Sequence, residues 1–173
     1  TKWVIDPTHS EIGFKVKHMM FTNVSGKFSK FDATIEAEDS NFENAKIEFT
    51  GAIDSVTTGN ADRDTHLLSP DFFDVAQFPE IKFSATSFTK INEGEYELVG
   101  DLTLHGVTKS VKLAAEYGGL MKDPWGNTKM ALALEGKINR KDWGLNWNSA
   151  LETGGVLVSE EVRLNIELQF LQQ

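Results

Sequence analysis

Four histidines are the side chains of this 173-residue chain that could most readily hold a metal ion or transfer protons. They are His9, His18, His66 and His105, and no two of them stand four residues apart, as a helical metal site would require. The chain has no cysteine, so thiolate catalysis and disulfide bonds are excluded. His9 and Ser10 do not form a catalytic pair, because neighbouring strand residues point to opposite faces. The histidines therefore predict no metal site.

Motifs of the common catalytic and nucleotide-binding sites are missing as well. The sequence contains neither GxSxG nor a glycine-rich phosphate loop. Asp101 and Glu135 could be imagined as the paired carboxylates of a glycosidase. Both fall at outward positions of predicted strands, where solvated surface charges are expected. We therefore predict no enzyme activity, no catalytic residue and no cofactor.

Arg63 and His66 form the polar pair with the best spacing to bind a ligand. Asp62 is predicted to cap a short helix that carries both side chains. Residues three apart share one helical face, so the pair could contact an anionic or polar head group. The alternative is that Arg63 pairs with a neighbouring carboxylate such as Asp64 and that His66 is an ordinary polar side chain.

This helix belongs to residues 59–83, which interrupt the alternating pattern of the rest of the chain. Ser69-Pro70 should end the helix, because the residue before a proline avoids the α region. Phe72, Phe73 and Phe78 follow in a short irregular run. A connection of this length is usually functional or disordered, and its aromatic content argues against disorder. We interpret it as a lid over one end of a β structure with its phenylalanines facing inward; the alternative is that they complete an ordinary core.

Apolar and polar residues alternate elsewhere, which is typical of half-buried strands. The predicted strands cover residues 10–18, 31–35, 47–53, 81–85, 96–104, 111–117, 130–138 and 156–170. Asn92-Glu93-Gly94 and His105-Gly106 predict hairpin turns, and residues 139–145 a helical turn. The pattern predicts a single all-β domain over residues 1–173, with a closed eight-stranded antiparallel barrel and a short helical insert. A two-sheet sandwich remains open on this pattern alone.

The inward-facing residues include more bulky groups than a narrow barrel needs, which suggests a tunnel for an apolar ligand. Met19 and Met20 would suit an adaptable wall. A filled core without a cavity fits the same pattern. The candidate lining residues are Phe14, Phe31, Phe49, Phe72, Phe73, Phe83, Leu102, Leu104, Leu132, Trp143, Trp147 and Leu164.

The net charge of −9 excludes some partners. Nucleic acids need a basic surface, so none is expected as a partner. The acidic balance also disfavours docking on anionic membranes. No run of about 18 apolar residues occurs, so no membrane-spanning segment is predicted. No charged-then-apolar leader precedes Trp3, which favours a cytoplasmic location, or a periplasmic one if a leader was removed before residue 1.

Several motifs in order along the chain resemble the YceI-like family of bacterial lipid-binding proteins. They are WVIDPTHSEIGFKVKHM (3–19), ADRDTHLLSPDFFDVAQFPEIKF (61–83), GDLTLHGVTKSV (100–111), NRKDWGLNWN (139–148) and VLVSEEVRLNIELQF (156–170). The resemblance implies a lipocalin-like, eight-stranded antiparallel barrel that holds a long amphiphile. Family ligands are polyisoprenoids, including prenyl diphosphates and isoprenoid quinones, and other long-chain lipids. It implies a carrier role and allows a homodimer.

The resemblance also carries over to particular residues. It places Arg63 and His66 near the ligand head group. The tunnel lining that it implies comprises Phe14, Val16, Leu67, Phe72, Phe73, Phe83, Leu102, Leu104, Trp143 and Leu145. Two other functions stay open: a stress-linked or regulatory module with a filled barrel and a protein partner, and a hydrolase or isomerase acting on lipid.

Overall fold

The computed structural model describes residues 1–38, 41–148 and 157–173, and most of them lie in β-strands. The sequence also predicts a turn at Asp39 and Ser40, a loop at Gly154-Gly155 and an inward-facing Val156, and these residues lie outside the described ranges. One α-helix, α1 (Ala61–Leu68), and three short 3-10 helices, Pro7–His9, Ile53–Ser55 and Arg140–Trp143, accompany the strands. The strands are β1 (Lys2–Ile5), β2 (Glu11–His18), β3 (Thr22–Phe28), β4 (Phe31–Glu38), β5 (Asn41–Ala52), β6 (Val56–Thr57), β7 (Glu80–Asn92), β8 (Glu95–Leu104), β9 (Val107–Lys122), β10 (Thr128–Asn139) and β11 (Val158–Gln172).

These segments form one antiparallel sheet that closes on itself. The strands follow the order β1-β4-β5-β7-β8-β9-β10-β11, and β1 pairs back with β11. β2 continues β1 along the same edge of β11, β3 lies beside β2, and β6 lies beside β3. The paired segments β1/β2, β3/β4 and β5/β6 therefore each act as one bent strand. The predicted eight-stranded antiparallel barrel is confirmed, and the sandwich is excluded.

The sequence pattern missed β3. Its residues are mostly small or polar, and its inward positions are Val24, Gly26 and Phe28. Gly26 breaks the apolar alternation, yet the Phe14 ring on β2 fills the space where its side chain would stand. The pairing of an inward glycine with an aromatic ring on the next strand completes a strand that the sequence alone does not indicate.

The barrel end that contains β1 is packed solid. Trp3 faces Ile35 across β1 and β4, and Met130 faces Phe170 across β10 and β11. All four side chains are almost fully buried. The ring of Phe42 lies 5.7 Å from that of Trp3. This filled half holds the barrel together and leaves the other half free to enclose a space.

Asp6 joins the bend between β1 and β2 to the start of β10. Its carboxylate accepts hydrogen bonds from the Thr8 hydroxyl at 2.8 Å and from Lys129 Nζ at 3.1 Å, and it lies 2.9 Å from His9 Nδ1. Burial is the largest single effect and raises the pKa of Asp6. The hydrogen bonds from Thr8, His9 and Lys129 together outweigh it, so the pKa lies well below its ordinary value.

We expect Asp6→Asn to lower the free energy of unfolding at pH 7 by about 1–3 kcal/mol. A carboxyl group with a depressed folded pKa contributes stability above its unfolded pKa, about 3.9, and loses it as the pH falls towards the folded pKa. The difference from the parent should therefore shrink between pH 5 and pH 2, as measured by urea unfolding. Asp101→Asn, at an exposed position of β8, is the control. A difference that stays constant with pH would contradict this assignment.

Candidate functional site

The helix of the insert begins two residues earlier than predicted. Asn60, not Asp62, is its N-cap, and the Asn60 side chain accepts a hydrogen bond from Arg63 N at 3.0 Å. Asn60 has the extended backbone that a cap requires, whereas Asp62 lies inside the first turn. The helix ends at Leu68, and Ser69 is its extended C-cap, so the predicted stop at Ser69-Pro70 is confirmed.

The chain after α1 folds back over the helix. Phe73 N donates to Leu67 O at 2.9 Å, and Val75 N donates to Leu68 O at 3.0 Å. These bonds turn Phe72 and Phe73 towards the barrel interior, as predicted for a lid. Phe78 has a different place: its ring lies against the β8–β9 turn, 5.0 Å from the ring of His105.

A cavity of about 360 Å³ lies under this insert, in the half of the barrel that the core leaves open. Its floor is formed by buried side chains such as Leu98 and Phe170, while lining residues at the insert end are partly or fully exposed. The mouth is therefore at the insert end. The predicted tunnel residues that line the cavity are Phe14, Val16, Phe49, Leu67, Phe72, Phe73, Phe83, Leu102, Leu104, Leu145 and Trp147, and Leu164 lines it too.

Four predicted tunnel residues lie elsewhere, and their placement corrects the prediction. Met19 is in the turn between β2 and β3 with its side chain in solvent. Phe31 stacks on Phe49 from outside the cavity, with ring centres 6.4 Å apart. Leu132 is buried in the packed core. Trp143 is buried against β8, where its indole Nε1 donates to Leu102 O at 3.0 Å. Met20, suggested as an adaptable wall, is also exposed.

The predicted head-group residues stand at the mouth of the cavity. Arg63 donates from Nε to Thr58 Oγ1 and from Nη2 to Thr58 O, both at 2.7 Å. It does not pair with Asp64, whose carboxylate instead accepts from Thr58 N. His66 Nε2 lies 2.8 Å from Asp71 Oδ2. The Thr58 hydroxyl also donates to Asp64 Oδ1, so Thr58 links Arg63 to the Asp64 carboxylate without a direct ion pair.

An aromatic cluster of His66, Phe72 and Trp147 joins the insert to the loop after the Arg140–Trp143 helix. The His66 and Trp147 rings have centres 4.9 Å apart, the His66 and Phe72 rings 5.1 Å, and the Phe72 and Trp147 rings 5.2 Å. All three line the cavity. The three rings narrow the mouth of the cavity and present a polarisable aromatic surface there.

Sequence reasoning missed three basic groups of the lining, Lys17, His18 and Arg140. Lys17 borders the cavity although alternation along β2 and the register with β3 place its side chain on the outer face. The sequence predicts Arg140 only as part of a helical turn. The short motif NRKDWG (139–144) is the signal that could have identified Arg140. It places the arginine at the start of a helical turn that ends at the buried Trp143.

Arg140 is almost fully buried although it carries a charge. Its guanidinium donates to Leu145 O at 2.6 Å, Trp147 O at 2.9 Å, Ser159 O at 2.9 Å and Val158 O at 3.2 Å. Burial lowers the pKa of the Arg140 guanidinium, and the nearby Glu160 carboxylate opposes that shift. Arg140 therefore ties the loop after the 3-10 helix to the start of β11 at the mouth.

The mouth is cationic in a chain of net charge −9. The polar side chains among the described lining residues are Lys17, His18, Thr58, Arg63, His66 and Arg140, and none of the described lining residues is acidic. Within the described ranges, Lys17, Arg63 and Arg140 form no ion pair. Basic side chains at the entrance of an apolar cavity suit a ligand with an apolar tail and an anionic or strongly polar head.

We expect Gly26→Ala to weaken ligand binding without unfolding the barrel. An added Cβ would stand 2.3 Å from Cζ of Phe14, the far end of a flexible side chain that lines the cavity, so the ring must shift. Affinity for an apolar ligand should fall about threefold to tenfold, equivalent to about 1 kcal/mol of lost apolar contact. Ser25→Ala, exposed on the same strand, is the control, and titration of both variants with one ligand is the measurement. Equal affinities would contradict this packing.

Neither a metal-binding cluster nor a membrane-spanning helix is found among the described residues. No group of three or more histidine, aspartate or glutamate side chains in the ranges 1–38, 41–148 and 157–173 is arranged to hold a metal ion. No helix in the described part of the chain has the length and apolar character needed to cross a membrane.

Comparison with solved structures places this barrel among known ones. A YCEI protein of Campylobacter jejuni superimposes with a TM-score of 0.78 at 34% identity, covering 97% of this chain and 96% of that one. BcnA of Burkholderia cenocepacia superimposes with a TM-score of 0.81 at 18% identity, covering 95% of this chain and 98% of that one. A polyisoprenoid-binding domain of Saccharophagus degradans, implicated in plant cell wall breakdown, superimposes with a TM-score of 0.70 at 14% identity. The match covers 99% of this chain and 98% of that one. The last two likenesses show a shared fold.

Sequence comparison gives the family. A UPF0312 protein of Staphylococcus aureus strain N315 is 36% identical over 171 residues, which are 98% of this chain and 97% of that protein. The model of the YceI-like domain matches residues 3–170. The chain therefore belongs to the YceI-like family.

Proposed function

We propose that this protein binds and carries a long-chain amphiphilic lipid of the polyisoprenoid class, such as a prenyl diphosphate or an isoprenoid quinone. The observation that carries the proposal is the apolar cavity of about 360 Å³ with its cationic mouth. The tail occupies the cavity, and the head lies beside Arg63 and His66. The role is binding and transport, not catalysis.

The cavity walls supply most of the affinity in this proposal. Each Å² of apolar tail surface removed from water contributes roughly 25 cal/mol. Phe14, Phe49 and Leu102 are only half-buried by the protein itself and lie along the cavity, so a tail would cover surface that the fold leaves uncovered. The head-group contacts then set the orientation of the ligand.

The family supports the proposal, since a domain with the same fold from Saccharophagus degradans is described as polyisoprenoid-binding. The alternative of a filled barrel with a protein partner is less well supported, because core side chains such as Phe83, Leu104 and Leu134 surround the cavity and do not fill it.

Native mass spectrometry of the purified protein, followed by organic extraction, tests the proposal. We expect a one-to-one adduct with a prenyl lipid, either copurified or formed on addition of geranylgeranyl diphosphate or geranylgeraniol. These two probes share a tail and differ in the charge of the head, so the diphosphate should bind more tightly if the mouth cations contact it. A protein that is empty and takes up neither probe would favour the filled-barrel alternative.

A further inference from the structure

The turn between β2 and β3 carries three exposed apolar side chains in a row. Met19, Met20 and Phe21 expose 46%, 57% and 89% of their surface. Met19 and Met20 also have positive φ values of 54° and 65°, which residues with a side chain rarely adopt. The β8–β9 turn has similar values at His105 and Gly106, 55° and 72°, and uses glycine at its second position. Packing within the chain does not explain the methionines.

The hairpin on either side of this turn is basic. Between Ile12 and Phe31 the sequence has four lysines and neither aspartate nor glutamate, in a chain of net charge −9. Lys15, Lys17 and Lys27 are exposed, and the register of β2 and β3 places all three on the same side of the hairpin. The outer surface of the hairpin is therefore a local positive patch.

The positive patch extends to two neighbouring strands. Lys15 lies opposite Arg163 of β11, and Arg163 lies opposite Lys137 of β10. Like charges directly opposite each other in a sheet repel. Glu161 lies 3.8 Å from Arg163 and 3.9 Å from Lys137 and offsets part of that repulsion. An anionic surface against this side of the barrel would offset the rest.

The apolar turn stands at the mouth of the cavity. Lys17 and His18, which precede it, both line the cavity. Met19 N donates to Leu157 O at 2.7 Å, and Leu157 lines the cavity as well. The opening for the ligand and the exposed apolar side chains therefore share one end of the barrel.

The β9–β10 turn at the other end of the barrel provides an internal comparison. Leu120, Met121 and Trp125 are exposed there too. The sequence from Glu116 to Lys129 has two lysines and two acidic residues, so this turn carries no net charge. Apolar exposure occurs at both ends, and only the mouth end combines it with a positive patch.

We propose that the turn Met19–Phe21 inserts into the interfacial layer of an anionic lipid bilayer, with Lys15 and Lys27 against its head groups. This inference rests on the proposed function, because a carrier that docks with its mouth on a bilayer moves a tail into the cavity without exposing it to water. The net charge of the chain predicts the opposite, namely that docking on anionic membranes is disfavoured. At physiological ionic strength, however, charges more than about 8 Å from the contact are largely screened. The local positive patch therefore determines the contact.

Vesicle cosedimentation tests the docking. We expect the protein to bind vesicles of phosphatidylcholine and phosphatidylglycerol, to bind pure phosphatidylcholine vesicles much more weakly, and to dissociate as salt is raised. Lys15→Gln with Lys27→Gln should weaken binding about 25-fold, which is about fivefold for each lysine. Met19→Asn with Met20→Gly and Phe21→Ser should weaken it at least tenfold. The control Leu120→Ser with Met121→Ser and Trp125→Ser should bind like the parent.

The same turn variants give a second readout that a structural role would not produce. Asn-Gly suits a turn with two positive φ values, so Met19→Asn with Met20→Gly should raise the melting temperature by about 2–4 °C while reducing vesicle binding. Uptake of geranylgeranyl diphosphate from solution should be unchanged. A variant that is more stable but binds vesicles more weakly is the result expected if Met19 and Met20 serve membrane binding and not folding.

Two outcomes separate the two proposals, and two more test the assignment to the β2–β3 turn. Uptake of the prenyl probe without vesicle binding would overturn the docking and leave the lipid-binding proposal standing. Vesicle binding without uptake of any prenyl lipid would overturn the lipid-binding proposal. Vesicle binding that both turn triples reduce equally would overturn the assignment to the β2–β3 turn, and concentration-dependent self-association lost in the Met19–Phe21 variant would assign this turn to a contact between copies of the chain instead.

Discussion

Replacing Leu164 with tryptophan should strongly weaken prenyl-lipid binding by a barrel that remains folded. Leu164 lies on β11 opposite Phe14 and lines the cavity. An indole at this position occupies part of a space of about 360 Å³. If it excludes about 100 Å² of tail surface, roughly 2.5 kcal/mol of binding free energy is lost, which lowers affinity about 60-fold. Titration with geranylgeranyl diphosphate, followed by native mass spectrometry, is the measurement.

The neighbouring position supplies the control for this variant. Asn165 is exposed on the outer face of the same strand, so Asn165→Trp adds the same group outside the cavity and should bind like the parent. Leu102→Trp blocks the space from the opposite side and gives a second route if the first variant folds poorly. Circular dichroism and thermal melting establish that each barrel is intact. Parent-like affinity in both blocked variants would refute the cavity as the binding site.

The sequence predicts the barrel well because its strands bury one face. On β11 the residues Val162, Leu164 and Ile166 face inward and Glu161 and Arg163 outward, as the alternation indicates. A shift of register by one residue would expose the whole apolar set. The interruption of the alternation at residues 59–83 then marks the insert, and Leu67, Phe72 and Phe73 from it line the cavity. Fold and general site position therefore follow from local pattern and motif order.

The sequence predicts the details of the site less well because they depend on partners far along the chain. Phe31 and Phe49 are both phenylalanines and their rings stack on each other, yet only Phe49 lines the cavity. Met19 keeps the apolar character of a tunnel residue but lies in a turn of positive φ. Asn60 caps the helix in place of Asp62, because the path of the chain before the helix decides which residue is extended.

The burial of Arg140 is the feature of the site that residue type predicts least well. A charged side chain is rarely buried without a carboxylate partner. Here four backbone carbonyls accept its hydrogen bonds, and the nearby Glu160 carboxylate favours the charged form without forming an ion pair. They belong to the segment after the 3-10 helix and to the start of β11, two parts of the mouth that the sheet does not join. A single guanidinium can connect them because its planar fork directs donors to several sides.

We expect Arg140→Met to lower the free energy of unfolding by about 3–5 kcal/mol, because the carbonyls of Leu145, Trp147 and Ser159 lose this donor, at about 1–3 kcal/mol for each one that water does not satisfy. Val158 O keeps a hydrogen bond from Asn148 Nδ2. The melting temperature should fall by about 6–20 °C. Arg140→Lys should lose less, since an ammonium group can satisfy some of these carbonyls but not all four. Lys141→Met is the control: Lys141 is exposed and pairs with Glu160 at 2.8 Å, a contact worth about 0.2–1 kcal/mol.

Urea unfolding of the three variants separates a structural role of Arg140 from a role in ligand binding alone. If Arg140 holds the mouth together, stability and prenyl-lipid affinity should fall in parallel in Arg140→Met, and Arg140→Lys should recover part of both. If its charge serves only the head group, Arg140→Met should be as stable as Lys141→Met and should lose affinity for geranylgeranyl diphosphate but not for geranylgeraniol. The bonds to four carbonyls favour the first result, because a guanidinium saturated by the protein has few donors left for a ligand.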